Sequence, residues 1–142
     1  MKLRIKHFSK LTTEELFKIY ELRISVFVVE QNCPYQEVDE IDRDAYHIWF
    51  EENNQIVAYA RIFLEEGVAH IGRVIAVKRR CGLGTRIVQA CMDCIQKKYA
   101  VHTIQLEAQV YAKGLYEKVG FQIISDVFLE DGIEHVRMEM KI

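Results

Sequence analysis

Ile71-Gly72-Arg73-Val74-Ile75-Ala76-Val77-Lys78-Arg79-Arg80-Cys81-Gly82-Leu83-Gly84-Thr85 is the stretch that decides how this chain folds. Residues 68–77 are almost continuous in small and branched apolar types, a strand pattern. Residues 85–99 then place Ile87, Val88, Cys91 and Ile95 at helical spacing. Between them lies a short basic turn, Arg79-x-x-Gly82-x-Gly84. Glycines let backbone N–H groups approach a ligand, and a helix start carries partial positive charge, so this turn suits an anion, most simply a phosphate. The same glycines would also serve a plain tight bend. A P-loop does not fit, because no lysine follows Gly84. A dinucleotide fingerprint does not fit either, because the turn follows a meander in mid-chain and not the first strand of a βαβ unit.

Working upstream, residues 2–8 alternate, with Leu3, Ile5 and His7 on one face, and read as a half-buried strand. Thr12 stands three residues before Glu15, a capping-box signature, and opens a helix over residues 13–28. Residues 30–45 have no clean period. They carry Glu30, Glu37, Asp39, Glu40 and Asp42 with Tyr35, Val38 and Ile41 between them, and read as a packed, functional loop with at most one helical turn. Residues 46–52 and 56–63 are strands around Asn53-Asn54-Gln55, and Glu65-Glu66-Gly67 is a second turn. Downstream of the glycine turn come a strand over 103–108, a helix over 112–119 stopped by Gly120, a strand over 121–128, the tight turn Asp131-Gly132 and a strand over 134–141. An antiparallel meander followed by strand, helix, strand, helix, strand requires at least one parallel pairing. The expected fold class is α/β in the α+β sense: a mixed sheet with helices on both faces, in one domain spanning residues 1–142.

Composition narrows the function. The 142 residues hold 19 Lys+Arg against 21 Asp+Glu, half are apolar and 28% are charged, which excludes a disordered chain. A net charge of −2 argues against a nucleic-acid binder, and the Lys78-Arg79-Arg80 cluster lacks the interleaved aromatics of an oligonucleotide site. No run reaches the about 18 apolar residues of a membrane span, and the N-terminal residues lack the apolar core of a signal peptide. Cys33, Cys81, Cys91 and Cys94 read as reduced thiols of a cytoplasmic protein. Cys91-x-x-Cys94 falls mid-helix without a second pair, so no metal site is expected.

Four segments, in order, resemble one family. Arg79-x-x-Gly82-x-Gly84 between a strand and a helix is similar to the pyrophosphate signature of the GNAT acetyltransferases. Gly114-Leu115-Tyr116-Glu117-Lys118-Val119-Gly120-Phe121 resembles the L-Y-E-x-x-G-F element of that family. Phe27-Val28-Val29-Glu30-Gln31-Asn32-Cys33-Pro34-Tyr35 and Phe128-Leu129-Glu130-Asp131-Gly132-Ile133-Glu134-His135 resemble its ElaA-like branch.

That resemblance implies a GNAT-like acyl-CoA N-acyltransferase fold: a mostly antiparallel sheet with one splayed parallel pair. It implies acetyl-CoA as the cofactor. The pyrophosphate would sit on the turn formed by Arg79, Arg80, Cys81, Gly82, Leu83, Gly84 and Thr85, with Arg79 and Arg80 as alternatives for the phosphate-facing arginine. The pantetheine arm would pair with the backbone of Ile75, Ala76 and Val77. Tyr116 is the implied general acid to the leaving thiolate, and a tyrosine of pKa about 10 is protonated at neutral pH. Glu107, near the C-terminal end of the strand beside the splay, is a general-base candidate, with Glu30, Glu37, Asp39 and Asp42 of the front loop, or a water, as the alternatives. The front loop would cover the acceptor pocket, which makes Glu30, Tyr35, Asp39, His47 and His135 the substrate-binding candidates. The acids of that loop would draw in a cationic amine. The partners implied are a small-molecule or peptide amine acceptor, with no nucleic acid and no membrane, on a monomer or homodimer. The alternative function is a non-catalytic acyl-CoA-binding or regulatory module on the same fold.

Overall fold

The computed structural model describes residues 1–77 and 81–142. Its centre is one mixed sheet built from β1 (Lys2–His7), β2 (Tyr46–Glu52), β3 (Gln55–Glu65), β4 (Val68–Ala76), β5 (Thr103–Gln109), β6 (Gln122–Ile123), β7 (Phe128–Glu130) and β8 (Ile133–Lys141). The order is β1-β2-β3-β4-β5-β8-β6, with β7 also on β8, and β4–β5 is the parallel pair among otherwise antiparallel neighbours. Three hairpins close through two-residue turns at Asn53-Asn54, Glu66-Gly67 and Asp131-Gly132, every one with both residues at positive φ. That conformation matches the twist of paired strands and is tolerated by Asn, Asp and Gly.

Helices cover both faces. On one side α1 (Thr13–Ile24) starts at a true capping box: Glu15 N–H donates to Thr12 Oγ1 at 3.1 Å and Thr12 N–H to Glu15 Oε1 at 2.9 Å. Its Ile19 joins Trp49, Tyr59 and Ile75 in a small core. On the other side α2 (Leu83–Lys98) and the short α3 (Lys113–Lys118) cover the main core, where Ile87, Val88, Cys91 and Ile95 meet Ile48, Ala60, Ile62, Ile71, Ile104, Leu106 and Met138. Cys91 and Cys94 are free thiols buried in that core. Among the described residues no helix is long and apolar enough to cross a membrane.

Three local expectations need correction. The first helical segment runs past residue 28 but does not stay α-helical that far. Its α-helical part ends at Ile24 and continues as a wider π-helical turn, Ser25–Glu30, where Val26, Val28 and Val29 crowd an α-turn and the wider one delivers Val26 and Phe27 to the small core. The strand expected over 121–128 breaks into β6 and β7, because Ser125 Oγ takes the Arg137 N–H at 2.8 Å in place of a ladder partner. β1 is less buried than its alternation implies: as the outermost strand it leaves Leu3 45% and Ile5 39% exposed, along an open groove with Phe50, Ala90 and Cys94. That groove lies at the β1 edge, apart from the opening described next.

Candidate active site

β4 and β5 part almost as soon as they meet. They pair only at Ala69 with Ile104 and His70 with Gln105; beyond that β4 stays with β3 and β5 stays with β8. A bulge at Arg73, held at φ +54°, re-aims the diverging strand. Ile71 before the bulge and Val74 and Ala76 after it face α2, while Ile75 turns toward α1. Val77 N–H is committed to Val57 O at 2.9 Å. Strand alternation therefore turns the Ala76 peptide groups toward the opening, where no strand meets them. An unpaired strand edge is costly when dry and is a ready partner for an extended ligand.

The start of α2 lies at this end of β4. Gly82 is its N-cap at φ +77°, in the left-handed region that favours glycine, and it makes no side-chain cap bond, with no acid in the first turn among the described residues. The N–H groups at Leu83, Gly84 and Thr85 thus keep the orphan character of a helix start, which binds anions. Gly84 has a second reason to be glycine: a Cβ there would stand 2.5 Å from Leu115 Cδ1 and 4.0 Å from Ala76 Cβ. Arg79 and Arg80 lie outside the described residues, and Cys81 is exposed at the mouth of the turn.

Tyr116, on α3, sits 7% exposed in the main core. The L-Y-E-x-x-G-F pattern is a helix stop that fixes this ring. Gly120 takes φ +112°, Gly120 N–H bonds Glu117 O at 3.1 Å, and Phe121 N–H reaches back to Tyr116 O at 3.0 Å. Phe121 then packs edge-on against Tyr116, ring centroids 6.2 Å apart. Burial, with Cys91 and Tyr111 beside it, pushes the Tyr116 hydroxyl pKa up, and the hydroxyl donates to no described residue. It is a protonated donor without a partner among the described residues.

On the α1 face the front loop is clamped by ion pairs. Arg23 forks onto Glu37 (Nε–Oε2 2.8 Å, Nη2–Oε1 3.0 Å) and reaches Asp42 Oδ1 at 2.7 Å. Arg61 forks onto Asp39 (2.6 and 3.0 Å) and shares Asp42 Oδ1 at 2.9 Å. Arg73 Nη2 donates to Glu37 O at 2.8 Å and lies 3.5 Å from Asp39 Oδ2. Burial alone would raise Asp42 and Asp39; the arginine hydrogen bonds and charges outweigh it and hold both below the ordinary carboxylate range. His47 is fully buried behind these groups, one ring nitrogen 2.7 Å from Tyr59 Oη and the other 3.0 Å from Asp42 O. Burial depresses its pKa, so the ring is neutral.

The structural ion pair expected of an arginine on the apolar side of the first helix, between Arg23 and the loop carboxylates, is present, and it limits the pull of those acids on a cationic amine. Glu37, Asp39 and Asp42 are matched one for one by Arg23, Arg61 and Arg73, so their charge holds the loop and attracts little beyond it. His47 does not reach the opening, and Glu30 is exposed at the end of the π-turn. Tyr35 stacks on the Arg73 guanidinium, 5.8 Å to the ring centre.

Across the opening, β5, β7 and β8 bring Glu107, Glu130, His135 and Arg137 together. Arg137 Nη2 donates to Glu107 Oε1 at 3.2 Å, and His135 Nε2 lies 3.9 Å from Glu130 Oε2. Burial, then hydrogen bonding to Glu107, raises the Glu130 carboxyl. The loop reaches this wall too: Gln31 and Gln109 exchange amide hydrogen bonds of 3.3 and 3.2 Å, and Cys33 Sγ donates to Asp131 O at 3.3 Å. Residues 31–42 thus strap both halves of the parted sheet. Gln31, Tyr59, Arg61, Arg73 and Gln109 escape notice in the sequence; the signal available was an arginine inside each of two apolar strands.

Chemically, the opening offers an unpaired strand edge and a helix start on one side, and carboxylates with an arginine on the other. Residues 11–142 match the family described as an acetyltransferase (GNAT) domain. ElaA of Escherichia coli is 34% identical over 96% of this chain and 94% of its own length, and its crystal structure superposes with a TM-score of 0.93 over 98% and 99% of the two chains. An acyl-CoA N-acyltransferase from Pseudomonas aeruginosa, 35% identical, gives a TM-score of 0.92 over the same shares, 98% and 99%. A UPF0039 protein of Schizosaccharomyces pombe is 41% identical over 96% of this chain and 95% of that protein. The chain belongs to the GNAT acetyltransferase family, a family of acyl-CoA-using acyltransferase enzymes whose mixed, splayed-sheet fold it shares.

Proposed function

We propose that residues 1–142 form one acetyl-CoA-dependent N-acetyltransferase domain, working in the cytoplasm on a primary amine by direct attack. The observation that carries this reading is the loss of β4–β5 pairing after His70 and Gln105, beside the start of α2. Acetyl-CoA, when bound, supplies a thioester whose carbonyl carbon an amine can attack.

The N–H groups of Gly82, Leu83, Gly84 and Thr85, with Cys81 and the arginine pair Arg79 and Arg80, would hold the pyrophosphate. Ile75 and Ala76 present the strand edge for the pantetheine arm; Val77, whose N–H serves Val57, contributes its side of the turn. Glu107 takes a proton from the acceptor ammonium, because only the neutral amine attacks. As the N–C bond forms and the C–S bond breaks, the acylated nitrogen would shed its second proton to solvent and Tyr116 would give its hydroxyl proton to the departing thiolate. Solvent exchange then returns the proton from Glu107 to Tyr116. Tyr35, Asp39 and His135 border the acceptor side, whereas His47 acts behind it by holding the loop.

A coupled assay tests the reading: acetyl-CoA, a panel of primary amines and colorimetric detection of free CoA thiol. Amine-dependent thiol release supports it. Tight acetyl-CoA binding with no release for any amine would instead favour a non-catalytic acyl-CoA-binding module.

A further inference from the structure

Among the three arginines that clamp the front loop, one is under-used. Arg23 and Arg61 are 0% and 4% exposed, and each forks onto a carboxylate with bonds of 2.6–3.0 Å. Arg73 is 21% exposed and keeps one good bond, to the Glu37 carbonyl. Its Nε lies 2.8 Å from Glu37 Oε2, but the N–H does not point at that oxygen and is left without a hydrogen-bond acceptor. Its contact to Asp39 is 3.5 Å, the loosest in the cluster, and Asp39 already holds the Arg61 fork. Nη1 keeps contact with solvent and donates to no described residue. A guanidinium presents five donors in a planar fork, and an under-satisfied one calls for an explanation. Arg61 Nε also lacks an acceptor, but Arg61 is sealed from solvent and its guanidinium sits over the Phe63 ring.

The position of Arg73 gives it a use. It projects from the β4 bulge onto the loop-covered face of the opening, its guanidinium plane held by Tyr35. His70 pairs with Gln105, so Gly72 and Arg73 lie level with Glu107 across the gap. The two walls thus carry Arg73 on one side and the Glu107–Arg137 pair on the other at one level of the sheet. We propose that Arg73 is the recognition residue for a carboxylate on the acceptor, so that the acceptor is a small amino acid carrying both the amine to be acylated and a free carboxylate. Nη1 takes one carboxylate oxygen. The second oxygen displaces the loose Asp39 contact on Nη2, while the Arg61 fork keeps Asp39 neutralised. A simple polyamine has nothing to offer this group.

The inference rests on the acetyl-transfer reading of the opening, and its test separates the two. The Arg73 Nε–Hε resonance of ¹⁵N-labelled protein, assigned by its loss in Arg73→Lys, is followed during titration with β-alanine, 5-aminovalerate and L-lysine, with their carboxamides, and with cadaverine. Acetyl-CoA affinity is measured separately. Carboxylate probes should move the resonance saturably, and the carboxamides and cadaverine should not. Arg73→Lys should weaken carboxylate binding about tenfold, because a point charge replaces a fork, and leave acetyl-CoA affinity unchanged. Equal shifts from carboxylates and carboxamides, or no shift from any carboxylate, would overturn the proposal while acetyl-CoA binding still stands. Carboxylate binding at Arg73 by a protein that does not bind acetyl-CoA would keep the anion site and remove the acetyl-transfer reading.

Discussion

Phe121 and Tyr116 are locked together twice, by a 3.0 Å hydrogen bond from Phe121 N–H to Tyr116 O and by an edge-on ring contact at 6.2 Å. Both locks depend on Gly120 at φ +112°, where a Cβ would also stand 3.2 Å from Met140 Cε. Gly120→Ala should therefore cost about 1–3 kcal/mol in denaturant unfolding, the range for a strained backbone position. A stability within 0.3 kcal/mol of wild type, a rough measurement limit, would show that the stop tolerates a side chain.

Tyr116→Phe removes the one atom proposed to meet the leaving thiolate and keeps the ring packing. Turnover should fall about 10²–10⁴-fold, the usual share of a general acid, with acetyl-CoA affinity unchanged. Steady-state rates with calorimetric binding check both halves. An unchanged rate removes Tyr116 from the mechanism.

Gly84→Ala drives a methyl group into Leu115 Cδ1, directly beside Tyr116. Overpacking of this kind costs about 1–3 kcal/mol. Because the clash is at the first turn of α2, acetyl-CoA affinity should drop together with stability, and Leu115→Ala in the same chain should restore much of both. Failure of that second change to rescue would locate the defect elsewhere.

Arg23→Met leaves Glu37 and Asp42 buried without their strongest partner. Breaking a buried pair from one side costs about 3–5 kcal/mol, far more than the pair contributes over an apolar replacement. Thermal melts should show a large loss for Arg23→Met and a much smaller one for Arg43→Met, whose partner Glu40 is exposed. Equal losses would contradict the clamp.

Acid should loosen the same clamp in two stages. His47 is held neutral by burial, so below about pH 6.5 the unfolded chain takes a proton that the folded one refuses. Asp39 and Asp42 are held below the ordinary carboxylate value of about 3.9, so their contribution is present above it and lost as pH falls through the lower folded values. In both windows the unfolded state binds more protons, and stability must rise with pH. His47→Gln should reduce the upper stage, leaving the share of His70, which burial also depresses, and keep the lower. A denaturation midpoint that stays constant down to about pH 3 would refute this.

What the sequence makes legible is local. Thr12 and Glu15 announce the start of α1 from three residues apart, and Asn53-Asn54 and Asp131-Gly132 announce their hairpins through the φ values they tolerate. Gly82, Gly84 and Gly120 stand out because a left-handed turn or a close approach leaves no other residue type. Of the clamp only Arg23 is legible, as an arginine on the apolar side of the first helix that pairs with loop acids; its particular partners are not, since it meets Glu37 and Asp42 at separations of 14 and 19 residues, while Arg61 meets Asp39 at 22 and Arg73 reaches Asp39 at 34. Nothing near an arginine in an apolar strand says which acid it will find. The bulge at Arg73 and the early parting of β4 from β5 are equally hidden, since both depend on a neighbouring strand. Leu3 and Ile5 alternate as a buried face would, yet exposure follows from β1 being outermost.

We propose above all that the opening between β4 and β5 holds acetyl-CoA. Calorimetric titration of the folded protein with acetyl-CoA, with ATP and NAD as controls, tests it most directly. Saturable, one-to-one binding of acetyl-CoA is expected, absent for NAD and much weaker for ATP. No acetyl-CoA binding by a protein that melts cooperatively would contradict it.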